Sequence, residues 1–331
     1  MIDKTDQNQQ TYAFLCSICI PTYNRAETLS YTVHSFIESE SFRTGKIELV
    51  ISDNASNDKT QELCTAFHEQ YPDQIQYLRL DKVIDPHFNF YNALKHGKGK
   101  FLKLNNDHVF FLPGNMDHFI DIIEQYQDIY DLIIPGTIKQ QPGILRTIEN
   151  INDLIEYMSY DITHMNSLCI RETAFRIIQE SKLDFYFPHT NILLQLISKN
   201  CKTLLTDRLE VNSIHLKYGT HRNEAQVFAE HYIGMLYPYY KKKKITRRVY
   251  QGEKRKLLFG HIIPYHFDFF HQYTEHKKVP PFWKHMGYYK ADPFFYAALL
   301  WIAFYYFISN VIPIHQMLGK IKRIILKKKN S

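Results

Sequence analysis

Two polar turns carry side chains suited to holding a nucleotide. Pro21-Thr22-Tyr23-Asn24-Arg25 follows the apolar run Phe14 to Ile20, and Asp53-Asn54-Ala55-Ser56-Asn57-Asp58 follows Ile47 to Ser52. An aromatic ring such as Tyr23 can wall a base. The Asp53 carboxylate can accept a hydrogen bond from a ring N–H, and the Arg25 guanidinium can meet a phosphate at two points. In an open α/β sheet, ligands bind at the carboxyl ends of the strands, which is where both turns fall.

The elements that position these turns follow from periodicity. Phe14 to Ile20 reads as a strand buried on both faces. Leu29, Val33, Phe36 and Ile37 predict a helix over Glu27 to Ser39. Ile47 to Ser52 is a second strand. A helix over Asp58 to Tyr71 follows, with Leu63, Ala66, Phe67 and Tyr71 on one stripe and Asn57 or Asp58 as its cap. Strands are expected at Ile75 to Leu80, Phe101 to Leu104 and Asp131 to Pro135, and helices at Phe88 to His96 and Asn115 to Tyr126. Gly97-Lys98-Gly99 ends the first of those helices. This alternation predicts an α/β fold with a mostly parallel sheet. Further on, helices are expected at Asn152 to Ser159, Thr173 to Ser181 and Asn191 to Lys199, and strands at Leu168 to Arg171 and Thr203 to Val211. From Asn223 the pattern is helical, aromatic and basic. The expected division is a nucleotide-binding domain over 13–222 and a helical carboxyl-terminal region over 223–331.

Composition narrows the class. A chain of 331 residues with 45% hydrophobic content can bury a large core, which excludes disorder. The five cysteines have no framework spacing, so the chain reads as reduced and cytosolic. Cys16 and Cys19 form a C-x-x-C, but within a strand residues three apart face opposite sides and cannot chelate one ion. MIDKTDQNQQ at the amino terminus lacks a signal-peptide apolar run.

The stretches SICIPTYNRAETL and ELVISDNASNDKT, followed by GKGKFLKLNND, resemble the amino-terminal signature of family 2 glycosyltransferases with the GT-A fold. The resemblance spans roughly Ser17 to Asp107 and three loops. It implies transfer with inversion of a sugar from a nucleoside diphosphate, a UDP-sugar foremost, to a lipid-linked or polysaccharide acceptor in capsule, O-antigen or wall-polymer synthesis. Pro21, Thr22, Tyr23, Asn24, Arg25, Asp53 and Asn54 then bind the donor. His87 and Asn89 touch its diphosphate or base, and Asn105 and Asn106 adjoin the ribose. The family's acidic Asp-x-Asp is reduced here to Asn105-Asn106-Asp107, which leaves Asp107 to ligate Mg²⁺ or Mn²⁺ with help from diphosphate oxygens. His215 is a candidate further ligand, and His221 and Arg222 are candidates to close over the diphosphate. The family's Glu-Asp pair for the catalytic base is absent. His189 and Asp184 are the candidates near the expected position, with Asp161 a third. A sugar nucleotidyltransferase would want a glycine-rich loop that PTYNRAET lacks, and the altered motifs keep open a degenerate, non-catalytic binding module.

The carboxyl end predicts a membrane partner. No Asp, Glu, Lys or Arg falls between Asp292 and Lys320. The run Phe294 to Ile314 has about the 20 apolar residues that can cross a bilayer, although its tyrosines and Asn310 favour an interfacial or re-entrant placement. Beyond it, Met317, Leu318, Ile321, Ile324 and Ile325 share a helical face opposite Lys320, Lys322, Arg323 and Lys327 to Lys329, as in helices that lie in an interface. Lys241 to Lys256 is a second basic stretch. The clusters flank apolar sequence and show no groove-reading motif, so nucleic acid is not the expected partner. The expected location is the cytoplasmic face of the bacterial inner membrane. The exposed aromatic helices suit a homodimer.

Overall fold

A computed structural model describes residues 11–136, 143–208, 211–213, 223–265 and 282–311. The chain divides into two units, 1–221 with 235–250, and 222–234 with 251–331.

The first unit is built on β1 (Phe14–Thr22), β2 (Ile47–Asp53), β3 (Ile75–Arg79) and β4 (Gly99–Leu104). Their order is β3-β2-β1-β4, all parallel. β1 and β2 are almost wholly buried, as expected of strands covered on both faces. Four crossover helices serve them: α1 (Ala26–Ile37), the short α2 (Glu40–Arg43), α3 (Thr60–Gln70) and α4 (Pro86–Lys95). Leu29, Val33 and Phe36 of α1 enter the core with Ile18, Ile20, Leu49 and Ile51. The cap of α3 is Lys59 rather than the expected Asn57 or Asp58, but Asp58 ties two helix starts together. Its Oδ1 accepts from the Thr60 N–H at 2.9 Å and its Oδ2 from the Ala26 N–H at 3.2 Å, and these bonds hold its carboxyl below the usual range against the opposing effect of burial.

Beyond β4 the chain forms β5 (Val109–Phe111), α5 (Asn115–Tyr126), β6 (Leu132–Gly136), β7 (Arg146–Ile148), α6 (Ile151–Met158), β8 (Cys169–Arg171), α7 (Glu172–Phe175), α8 (Pro188–Ile197), β9 (Thr203–Arg208) and β10 (Val211–Ser213). The sheet continues β4-β8-β6-β9-β7. β8 is antiparallel to both neighbours, and β7 is antiparallel to β9. β5 and β10 pair separately. Two expectations need correction. The helix expected over Thr173 to Ser181 stops at Phe175, and a 3₁₀ turn at Glu180–Lys182 follows. The strand expected over Thr203 to Val211 ends at Arg208, and Val211–Ser213 leaves the main sheet to pair with Phe111, Phe110 and Val109. Cys16 and Cys19 are both fully buried free thiols, and burial pushes each well up from its ordinary value. The segment 235–250 is held to this unit by α6: Asn152 Oδ1 accepts from the Thr246 N–H at 2.8 Å, and Asn152 Nδ2 donates to Lys244 O at 3.1 Å.

The second unit is helical and contains the π-helical stretches Ala225–Tyr232 and Leu258–Ile262. Its interior holds polar groups in pairs. Tyr232 donates to Glu253 at 2.9 Å, and Lys254 meets Asp292 at 3.4 Å with both side chains buried. A last helix, Pro293–Val311, packs Phe295 and Ala298 inward, while Phe294, Tyr296, Leu300, Trp301 and Phe304 stay exposed. Among the described residues no helix is long and apolar enough to cross a membrane.

Candidate active site

Three strand ends bring the turns together. The register sets Thr22 beside Asp53 and Cys19 beside Leu104, so β1, β2 and β4 release their turns at one edge. An open cleft of about 450 Å³ lies there, lined by Pro21, Thr22, Tyr23 and Arg25 from the first turn and Asn54 from the second. Asn106, Asp107 and His108 line it from the third turn, and Asp85, Pro86 and Asn89 from the start of α4.

Each turn is fixed before any ligand arrives. Asn24 adopts a left-handed φ of 52°, which an asparagine tolerates better than most residues. Its N–H donates to Ser56 Oγ at 2.8 Å, and its Oδ1 accepts from the Asn57 N–H at 2.8 Å, locking the first turn to the second. Asn54 holds the loop ahead of α4 by a reciprocal pair with Ile84, at 2.8 and 2.9 Å. Asn89 accepts from Ser52 Oγ at 2.6 Å and donates to Ser52 O at 3.0 Å, so it braces β2 while lining the cleft.

Asp53 is fully buried. Its Oδ2 accepts from Tyr77 at 2.8 Å and Arg79 Nη1 at 2.6 Å, and its Oδ1 accepts from the Ser56 N–H at 2.9 Å. Burial first, then the Asp53 carboxylate, pushes the Tyr77 hydroxyl up from its ordinary value. Tyr77 and Arg79 were not singled out in the sequence, where nothing local links them to Asp53. By contrast, Tyr23 is 43% exposed, and among the described residues the Arg25 guanidinium has no hydrogen-bond or ion-pair partner, so both face the cleft open to a ligand.

In the third turn Asp107 Oδ2 accepts from Thr22 Oγ1 at 2.9 Å, and Oδ1 lies 3.1 Å from His108 Nδ1. Asn105 is fully buried. Its Nδ2 donates to Asn106 O at 2.9 Å and Val109 O at 3.1 Å, and its Oδ1 has no partner. It shapes the turn from beneath and is not among the residues lining the cleft. The Asn106 N–H donates to Asn166 Oδ1 at 2.9 Å. His108 is the residue the sequence reading missed. The only local signal was its place directly after Asp107.

The remaining candidates are less exposed. His87 is buried, stacked near Phe88 and Phe185 at 4.0 and 5.4 Å, with Nδ1 unpartnered. His189 is 3% exposed, and its Nε2 bonds Thr163 O at 2.8 Å. Burial pulls it down to about 4. Asp184 Oδ1 accepts from the Tyr186 and Phe187 N–H groups at 2.9 and 2.8 Å, just before α8. Neither His189 nor Asp184 lines the cleft. His215, His221 and Arg222 lie outside the described residues. Among the described residues no group of three or more His, Cys, Asp or Glu side chains could hold a metal. The donor set nevertheless fits a divalent ion completed by phosphate oxygens, since Asp107 presents a carboxylate oxygen at the cleft wall beside an imidazole nitrogen.

A largely parallel sheet with donor-type turns on its carboxyl edge defines a GT-A α/β fold. The model for glycosyl transferase family 2 matches residues 17–187, and the chain belongs to that family. Abequosyltransferase RfbV of Salmonella typhimurium is 38% identical over 87 residues, 26% of this chain and 26% of that protein. The minor teichoic acid biosynthesis protein GgaA of Bacillus subtilis is 31% identical over 65 residues, 20% of this chain and 15% of that protein. The chain thus spans well under two thirds of either relative. Among solved structures, the mannosyltransferase PcManGT from Pyrobaculum calidifontis, in complex with GDP-Man and Mn²⁺, aligns with a TM-score of 0.53 at 14% identity, covering 73% of this chain and 70% of that one. Residues 1–349 of S. aureus TarS align with a TM-score of 0.52 at 13% identity, covering 82% and 78%. At such identities the likeness shows the fold.

Proposed function

We propose that this chain is an inverting glycosyltransferase of bacterial surface-polymer synthesis. It moves a sugar from a nucleoside diphosphate donor to a hydroxyl of a lipid-linked or polysaccharide acceptor. The observation that carries this reading is the convergence of Tyr23, Arg25, Asn54, Asn106 and Asp107 on one cleft. The names of the two relatives, an abequosyltransferase and a teichoic acid synthesis protein, support the polymer setting.

In this reading Tyr23 stacks on the base. Asp53, buried and not among the residues lining the cleft, does not meet the base itself; it fixes the second turn through Ser56, Tyr77 and Arg79. Arg25, which lines the cleft, takes a phosphate. A divalent cation, when bound, neutralises charge on the diphosphate leaving group. Asp107 holds it, oriented by the Thr22 hydroxyl. His215 remains a candidate ligand, and His221 and Arg222 remain candidates to cover the diphosphate. The base must take a proton from the acceptor hydroxyl, a role worth typically about 10²–10⁴-fold. Asp184 is the stronger of the two candidates. His189 is buried, and its Nε2 is already bonded to Thr163 O. The acceptor reaches the site at the cytoplasmic membrane surface, and the exposed face of Pro293–Val311 supports that placement.

One observation favours a second reading, a nucleotide-binding module without transfer: the third turn has one carboxylate where the family resemblance implies two. Hydrolysis and transfer assays with UDP-, GDP-, CDP- and dTDP-sugars separate the two. Asp107→Asn is expected to lower the rate by about 10²-fold or more if Asp107 acts on the leaving group. Binding without turnover in the unaltered chain would support the module instead.

A further inference from the structure

Asp107 and His108 are consecutive residues whose side chains turn toward each other at the cleft wall. Oδ1 and Nδ1 are 3.1 Å apart, and the side chains retain 12% and 27% exposure. Two ligands at right angles on an octahedral ion with bonds of about 2.1 Å lie about 3.0 Å apart. The observed separation is that of an ordinary hydrogen bond, and it also matches the bite of a cis ligand pair. Thr22 holds the other carboxylate oxygen, which leaves Oδ1 as the one facing the imidazole. As a mere surface ion pair the contact would be worth little, and it spans neighbouring residues, so it ties no distant elements together.

We infer that His108 is a direct protein ligand of the divalent cation, paired with Asp107. This rests on the donor-binding reading above. With one carboxylate and one imidazole, the pair suits a transition-metal ion better than Mg²⁺, which favours oxygen ligands. The site therefore selects Mn²⁺ over Mg²⁺. The remaining positions fall to diphosphate oxygens and water, with His215 the further candidate named above.

The test uses the full chain. Melting temperature is first measured with UDP and with GDP, each without metal. Mn²⁺ is then titrated with and without each nucleotide, and bound Mn²⁺ is examined by pulsed electron paramagnetic resonance for ¹⁴N coupling. A directly bonded imidazole nitrogen is expected in the unaltered chain, with Mg²⁺ competing poorly. His108→Ala is expected to lose the coupling and weaken Mn²⁺ binding about tenfold or more. His108→Asp is expected to regain cation affinity without the nitrogen signal and to shift preference toward Mg²⁺. Bound Mn²⁺ without nitrogen coupling, a coupling that His108→Ala leaves undiminished, or no bound Mn²⁺ with either nucleotide would overturn the assignment. If a nucleotide raises the melting temperature but the coupling is absent, only the His108 assignment fails. If neither nucleotide does, and CDP and dTDP do not either, the donor reading fails with it.

Discussion

Lys103 lies on β4 between β1 and β8, with no exposure to solvent. Among the described residues its Nζ finds two carbonyl acceptors, Leu104 O at 3.3 Å and Asn166 O at 3.4 Å, and it sits over the rings of Phe111 and Phe119. Burial pulls its ammonium down from 10.5 to about 8. Between those values the unfolded chain binds the proton and the folded chain does not, so this residue makes stability rise with pH from about 8 to 10.5. Below 8 its penalty is complete. Lys103→Met is expected to stabilise the protein at pH 7 by up to ~3 kcal/mol and to flatten that rise, read from urea unfolding at pH 7 and pH 10. A variant less stable at pH 7 would contradict this. Nothing in the sequence marked Lys103, because its neighbours come from β1, β5, β8 and α5. The same limit applied at Asp53. Its turn was legible from the apolar run before it, but its partners Tyr77 and Arg79 stand 24 and 26 residues away and meet it only once β2 and β3 pair.

At the scale of elements, the close approach of β1 and β4 is set by Gly97-Lys98-Gly99. Glu48 Oε1 accepts from Ser17 Oγ at 2.6 Å and from the Lys98 N–H at 2.5 Å, while Ser17 Oγ accepts from the Gly99 N–H at 2.8 Å. A Cβ on Gly99 would stand 2.6 Å from the Ser17 backbone nitrogen. Gly99→Ala is therefore expected to cost about 1–3 kcal/mol through overpacking. Gly252→Ala, where a Cβ meets nothing within 4 Å, is expected to be neutral or stabilising by up to about 1 kcal/mol. Thermal unfolding of the two variants checks the contrast, and equal effects would refute it. The sequence marked these glycines as a helix stop. Gly97 follows the C-cap His96, whereas Gly99 opens β4 and seats Ser17. Strands and helices with clear periodicity were legible to within a few residues, as at Asn115–Tyr126. β5, β7 and β10 are three residues each. That is shorter than the roughly 4–8 residues over which alternation can be read, and their pairing is decided by distant chain.

At the scale of the whole molecule, the family is carried by 17–187, and the sequence beyond it carries aromatic and basic character instead. The helix Pro293–Val311 leaves Phe294, Leu300, Trp301 and Phe304 exposed, and the chain continues into a lysine-rich segment. The full chain is expected to sediment with vesicles containing phosphatidylglycerol, less so at high salt. Replacing Phe294, Leu300 and Trp301 by serine should weaken that binding, and unchanged sedimentation would place the contact elsewhere. The fold was legible because three loops with characteristic spacing lie within the first 107 residues. The base was not, because Asp184 and His189 lie where the family's pattern lapses and do not line the cleft. The most direct test of the donor site is calorimetric titration of the full chain with UDP, GDP, CDP and dTDP in the presence of Mn²⁺. At least one is expected to bind in the micromolar range, with affinity weakened about tenfold or more by Arg25→Ala, which removes a charge-assisted contact to phosphate. Heats of dilution alone for all four, or binding that Arg25→Ala and Asp107→Asn both leave unchanged, would contradict it.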